Sequence, residues 1–324
     1  EQNVQASIER LIDLQTSIKK LYLTENSNNE YAETDLENDP AVIYVGLQLA
    51  RFLLLSTDKD NHVKAEEILD EVNGKFEGSG HVNEFEPKIN AAFYLSKCQL
   101  FKISEDYNQF YTNCLLYLST MASEEEKTSI SRISHLEKQK LCYDLAIAAL
   151  LGSKIYNFGE LILHDILKSL KDSQWEWLYN LIHTLNAGDL KGFNQWLTQG
   201  LQKAPFLVPS EHFLKQKIII MALLELISLK PAGNKVLQFS EISDFTGADS
   251  NDVEHLIIKC FSLGLIKGYI NQIESKLVVT WLQPRILNMD QVKVLYDHLV
   301  KWDTGVEKLG SEIYQSGGSL WASV

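Results

Sequence analysis

No dense cluster of lysine and arginine occurs anywhere in this sequence, and its 30 basic residues are outnumbered by 43 acidic ones, for a formal charge of -13. Such a surface repels phosphate backbones and anionic bilayers unless basic groups are locally concentrated. The moderate run at Lys138 and Lys140 sits beside acidic groups. Neither nucleic acid nor membrane is therefore an expected partner. Cysteine is scarce: Cys98, Cys114, Cys142 and Cys260 lie far apart in apolar segments and form no CxxC pair. That excludes a zinc knuckle and a secreted disulfide framework, and leaves buried thiols in a reducing compartment. Six prolines and 17 glycines are too few for a linker-rich or collagen-like chain. Long apolar runs are missing too. One of the longest, Ile218 to Leu224, is broken by Glu225, far short of the roughly 20 residues a membrane span requires. No leader-like segment is read at the start, and because the chain opens on Glu1 rather than methionine, an upstream piece is expected to be missing.

Catalytic spacings are absent as well. The eight histidines are scattered; Glu254, His255 and Cys260 share one helix, but no second histidine stands at the spacing of an HExxH site. There is no GxSxG elbow and no glycine-rich phosphate loop. No catalytic, cofactor-binding or metal-binding residue is assigned, no cofactor is expected, and the chain does not read as an enzyme.

What the sequence has in quantity is helical periodicity. From Ser7 to about Val279, segments of roughly 12 to 20 residues carry apolar groups three and four apart. The spacing predicts helices over about 3–22, 39–57, 62–75, 85–102, 104–120 and 134–152. Further helices are expected over 157–170, 173–187, 189–200 and 211–229. Polar breaks separate several of them, at 25–39, 78–83 and 123–131, the last holding the acidic run 124–126. Asp39-Pro40 is a helix-start signal, aspartate at the cap and proline in the first turn. Consecutive helices with short connectors pack as hairpins, and stacked hairpins make a solenoid. The alternative is an irregular all-helical domain, because no fixed-length repeat signature appears. Segment 211–229 is apolar around nearly its whole circumference, which implies burial on several sides.

Beyond it the period changes. Phe239 reads as a short extended stretch. A short helix capped by Ser240 ends at Gly247, and a second, capped by Ser250 or Asn251, ends before Gly264. Leu265 to Ile270 and Lys276 to Leu282 then form a hairpin closed by Pro284. Leu277, Val279 and Trp281 are expected on one face of that second strand. Helix, strand, helix, helix and a two-stranded wing is the order of a winged helix. Its presumed recognition helix offers only Lys259 against Asp252 and Glu254, with Asp249 upstream, the wrong sign for reading DNA. Finally Val292, Leu295, Leu299, Trp302, Val306, Leu309 and Ile313 recur three and four apart, a narrow heptad seam. Such a seam suits docking against partner helices; the alternative is that it folds back on its own wing.

The blocks Tyr156-Asn157-Phe158-Gly159-Glu160-Leu161 and Leu185-Asn186-Ala187-Gly188-Asp189 with Phe193, then Ser262 to Ile270 and Trp281 to Arg285, occur in a recognisable order. Together they resemble PCI-domain subunits of the 26S proteasome regulatory particle lid, in the form of the ninth non-ATPase subunit of fungi. The resemblance covers essentially the whole chain and implies a mainly α fold: a right-handed helical-repeat (TPR-like) solenoid, a winged-helix (PCI) module and a C-terminal helix. The expected divisions are an N-terminal arm over 1–130, the helical part of the PCI module over 131–231, the winged helix over 232–286 and a bundle helix over 287–324. It further implies a non-catalytic scaffold supporting ubiquitin-dependent degradation in the cytoplasm and nucleus. Its expected partners are other PCI lid subunits and the deubiquitinase-containing dimer, with a nearby ubiquitin receptor as a further candidate. A sister assembly, the signalosome or a translation-initiation complex, is the alternative. Phe158, Gly159, Gly188, Asp189, Gly264 and Trp281 are expected as determinants of the PCI fold: core plug, close approach, helix junction, turn and wing anchor.

Overall fold

The structure is a computed structural model that describes residues 2–25, 36, 38–78, 86–125, 134–171, 173–230, 235–284 and 289–315. Parts of the predicted polar breaks, including Glu126 of the acidic run, lie outside the described residues. Helices α1 (Gln2–Glu25), α2 (Pro40–Leu55), α3 (Lys59–Gly78), α4 (Pro87–Ile103), α5 (Tyr107–Glu125) and α6 (His135–Leu151) follow one another, and each packs on a neighbour in sequence. Local chemistry sets their starts. The Asp39 carboxylate accepts the Ala41 N–H at 2.8 Å with Pro40 in the first turn. At α6, Ser134 and Glu137 form a reciprocal cap: the Glu137 N–H donates to Ser134 Oγ at 3.2 Å, and the Ser134 N–H donates to Glu137 Oε2 at 3.0 Å. Those Ser134 donors hold the Glu137 carboxyl below its usual pKa.

Segment 157–170, predicted as one helix, is two pieces: α7 (Gly159–Leu163) and a 3₁₀ turn over Asp165–Leu170. His164 between them is extended, and its Nδ1 accepts the Ile166 N–H at 3.2 Å, so the ring starts the second piece instead of continuing the first. Then come α8 (Glu176–Ala187), α9 (Leu190–Lys203), a second 3₁₀ turn over Pro205–Ser210, and α10 (Glu211–Leu229).

The winged helix comprises β1 (Val236–Gln238), α11 (Phe239–Thr246), α12 (Val253–Ser262), β2 (Ile266–Asn271) and β3 (Lys276–Leu282). Its sheet is antiparallel in the order β1-β3-β2, with Leu237 opposite Leu277. Three local expectations need correction. Phe239 is not extended: its N–H donates to Ser275 O at 2.9 Å, the pairing with β3 ends there, and α11 begins. Neither Ser240 nor Ser250 or Asn251 caps a helix; the cap positions are Gln238 and Asp252, without side-chain cap bonds. Trp281 does not share the buried face of Leu277 and Val279. The register shifts between Lys267 and Gly268, which face Trp281 and Val279, so Thr280 is an extra residue and a bulge re-aims the strand beyond it. Gly268 accounts for the tight approach: a Cβ there would fall 2.0 Å from Val278 O. Leu277 and Val279 anchor the wing in place of Trp281.

Two apolar clusters hold the molecule. The smaller draws on α1 to α4 through Ile8, Leu47, Leu69 and Phe93. The larger runs without a break from Ala91 and Cys98 on α4 to Leu277 and Val279 on β3, so arm and winged helix share one core. All four cysteines are buried free thiols, and burial pushes Cys142 and Cys260 up to about 12. The last helix, α13 (Met289–Gln315), contributes to neither cluster.

Candidate functional site

The predicted seam lies on α13, 27 residues and about 40 Å long at the usual rise. Every described side chain from Val292 to Gln315 is exposed. Val292, Leu295, Leu299, Trp302, Val306, Leu309 and Ile313 lie open, Trp302 at 69%. The helix is amphipathic, yet its apolar stripe is not folded back on the wing. Tyr296, Val300 and Tyr314, outside the strict heptad, widen the open apolar surface. The a/d pattern alone did not single them out.

A second open surface is the wing. β2 is an edge strand with β3 on one side only, and an unpaired edge is a template for strand pairing. Tyr269 is exposed on it, Ile273 protrudes at the hairpin tip, and Lys267 Nζ lies 4.9 Å from the Trp281 ring centroid. Trp281 thus sits partly open at the surface under a cation.

Of the other fold residues named from the sequence, Phe158, Gly159 and Gly188 lie inside, whereas Asp189 and Gly264 are exposed at turns. Phe158 is fully buried, and the Gly159 N–H donates to Asn157 Oδ1 at 3.2 Å at the start of α7. Gly188 has φ +67°, and a Cβ there would come within 3.0 Å of Ala222 Cα on α10. Asp189 Oδ1 then accepts the Lys191 and Gly192 N–H groups, both at 3.1 Å, opening α9. Gly264 has φ +68°, and the Leu265 N–H reaches back to Cys260 O at 3.0 Å, turning the chain from α12 into β2.

A residue that sequence reasoning passed over ties these parts together. Lys217 on α10 is 0% exposed, and its ammonium donates to Ala149 O at 2.8 Å, Leu150 O at 3.1 Å and Gly152 O at 2.7 Å. These carbonyls lie at the C-terminal end of α6, where they lack helical partners and carry the negative end of the helix dipole. The rings of Tyr156, Phe158 and Phe213 surround the ammonium at 5.3, 5.4 and 5.5 Å. Burial pushes its pKa down from 10.5 to about 7. The available signal was a lysine, the second of Lys215 and Lys217, directly followed by the apolar run Ile218 to Leu224 and one turn after Phe213.

Residues 1–182 match the family described as PSD13 N-terminal repeats, 195–281 the PCI domain, and 285–317 the Rpn9 C-terminal helix. The chain is 37% identical over 316 residues to the 26S proteasome regulatory subunit RPN9 of Saccharomyces cerevisiae, covering 97% of this chain and 76% of that one. The chain belongs to the RPN9 family of 26S proteasome regulatory subunits. Another relative, the 26S proteasome non-ATPase regulatory subunit 13 homolog B of Arabidopsis thaliana, is 35% identical over 268 residues, 82% of this chain and 66% of its own length. Similarity to eukaryotic translation initiation factor 3 subunit M of Nematostella vectensis is lower, 22% over 144 residues, 44% of this chain and 37% of that one. On the structure, the RPN9-family C-terminal match spans the uncovered α13, and the PCI match contains α10 and most of the winged helix. Among the described residues no three His, Cys, Asp or Glu side chains are grouped to hold a metal, and no helix is long and apolar enough to cross a membrane.

Proposed function

We propose that the chain acts as a non-catalytic scaffold subunit of a proteasome regulatory particle lid, working through burial of α13 and through the edge of its winged helix. The observation that carries the reading is the seam: seven apolar side chains at heptad spacing on a helix with every described side chain from Val292 onward in solvent. An apolar stripe of that kind is stable in water only at a cost, and covering it contributes roughly 25 cal/mol per Å² before ordering losses. Neighbouring helices of other subunits are the natural cover. The open β2 edge, with Tyr269 and Ile273, supports lateral contact with a second PCI subunit. The finer partners belong to the same proposal: the deubiquitinase-containing dimer, and a ubiquitin receptor beyond it. Cytoplasm and nucleus are the compartments that go with this assembly.

The acidic character of α11 and α12 favours the lid over an RNA-contacting sister complex. From 239 to 262 there are five carboxylates and one lysine. Gentle affinity purification of the full chain, with its stoichiometric partners identified, tests the proposal. Recovery of the other PCI subunits of the lid supports it; recovery of a signalosome or an initiation complex overturns it.

A further inference from the structure

Between α10 and the winged helix runs a groove that neither docking surface uses. Its floor is Ile219, Ile220, Ala248 and Leu256, and Asp249 and Asp252 stand on its rim. Ile220 is buried, whereas Ile219, Ala248 and Leu256 are half-buried, so apolar floor is left open to solvent. Asp252 occupies the cap position of α12 but makes no side-chain cap bond. Asp249 uses its backbone carbonyl, which accepts the Asp252 N–H at 2.8 Å and the Val253 N–H at 3.2 Å. Neither carboxylate has an ion-pair or hydrogen-bond partner among the described residues. Of the described carboxylates on α11, α12 and their connector, Glu241 is the one in an ion pair, with Lys230 at 2.6 Å.

We propose that this groove docks a basic segment of a neighbouring protein chain, one aliphatic or aromatic side chain resting on the Ile219–Leu256 floor and a lysine or arginine reaching Asp249 and Asp252. The argument is complementarity of both kinds. A metal ion is a poor fit, because among the described residues no three His, Cys, Asp or Glu side chains are grouped to hold one and the apolar floor supplies no ligand. Two uncommitted carboxylates above it repel phosphate-bearing partners and attract ammonium or guanidinium groups. Lys259 lines the other end of the groove, about 10 Å along α12 from Asp252 by the helix rise, and so fixes polarity. The basic end of the occupant lies over Asp249 and Asp252, and its neutral or acidic end lies toward Lys259 and His255. The proposal rests on the scaffold reading, because the occupant is taken to be part of a neighbouring subunit.

The test is site-specific photo-crosslinking in the assembled particle. Gln216, exposed beside the groove, is replaced by a benzophenone amino acid, the particle is purified and irradiated, and the linked peptide is sequenced. The expected product joins Gln216's position to one segment of another subunit bearing at least one apolar residue and two Lys or Arg within about two helical turns. In D249K/D252K its yield falls about tenfold, as like charges now face each other, while D249N/D252N gives an intermediate loss. A crosslink to an acidic or uncharged segment, a crosslink to the chain's own α13, or no crosslink in a particle that holds the chain at full stoichiometry overturns the groove proposal. If the chain never enters the particle, it is the scaffold reading that fails. An unchanged melting temperature of D249K/D252K shows that the loss is one of docking and not of folding.

Discussion

Helices α10 and α13 are both rich in apolar residues, yet one is enclosed in the core and the other is exposed along its described side chains. On α10, apolar side chains surround the axis, and nearly every position from Lys217 to Ile227 is buried. On α13 a comparable set is confined to a stripe, and every described side chain from Val292 onward is exposed. The difference teaches that arrangement, more than quantity, decides whether a helix belongs to its own core or to someone else's. α10 can be enclosed because the larger cluster reaches it from α6, α8 and the winged helix. α13 offers a seam one helix wide, the shape another helix covers.

The comparison is broken most severely by removing the buried lysine of α10. K217M leaves three carbonyls at the end of α6 without donors in a dry site, and we expect a loss of about 3 kcal/mol in denaturant unfolding of the isolated chain. The same residue gives a pH signature. Its folded pKa is lowered to about 7 against 10.5 for the free side chain. Between those values the unfolded chain binds more protons, so stability rises with pH by up to about 1.4 kcal/mol per unit. The Tyr156 phenol beside it, raised by burial from 10.0 to about 12, has the opposite sign and opposes this slope from about pH 10 upward, at the top of that window. In K217M this contribution to the slope disappears. Measuring unfolding against pH in both proteins isolates it.

Next comes the α8–α9 junction that leans on α10. G188A introduces a Cβ at φ +67° and 3.0 Å from Ala222 Cα, and should cost about 2 kcal/mol by the same measurement. Smaller is the start of α6: S134A removes the acceptor of the Glu137 N–H and should cost about 1 kcal/mol. Smallest is α13. L299D/W302D alters two exposed side chains, and the isolated chain should melt unchanged within about 0.5 kcal/mol. A marked loss there would place α13 in the core after all and abolish the contrast.

How much of this was legible in the sequence varies with how local the cause is. The all-round apolar character of 211–229 gave the bounds of α10 because burial on all sides leaves a periodicity-free run. The seam at Val292 to Ile313 was legible because it repeats. Asp39-Pro40 was legible because cap and proline act within one turn. Lys217 was not: three of its partners are 65 to 68 residues away, and a lysine in an apolar helix reads as an exit to solvent until its acceptors are known. The fate of Trp281 was hidden for a related reason, since strict alternation along β3 fails at the bulge opposite Lys267 and Gly268, on the partner strand, where the backbones approach closely. The break at His164 came from a ring nitrogen competing for a backbone N–H, which periodicity does not see. The groove beside α10 joins residues from 216 to 259, and its acidic rim was visible while its floor was not.

The most direct test of the account is native mass spectrometry of the lid assembled with L299D/W302D in place of the unaltered chain. The account predicts particles that lack this subunit, or hold it at a small fraction of full stoichiometry, from a variant whose own thermal unfolding is unchanged. Full incorporation of the same variant would contradict it.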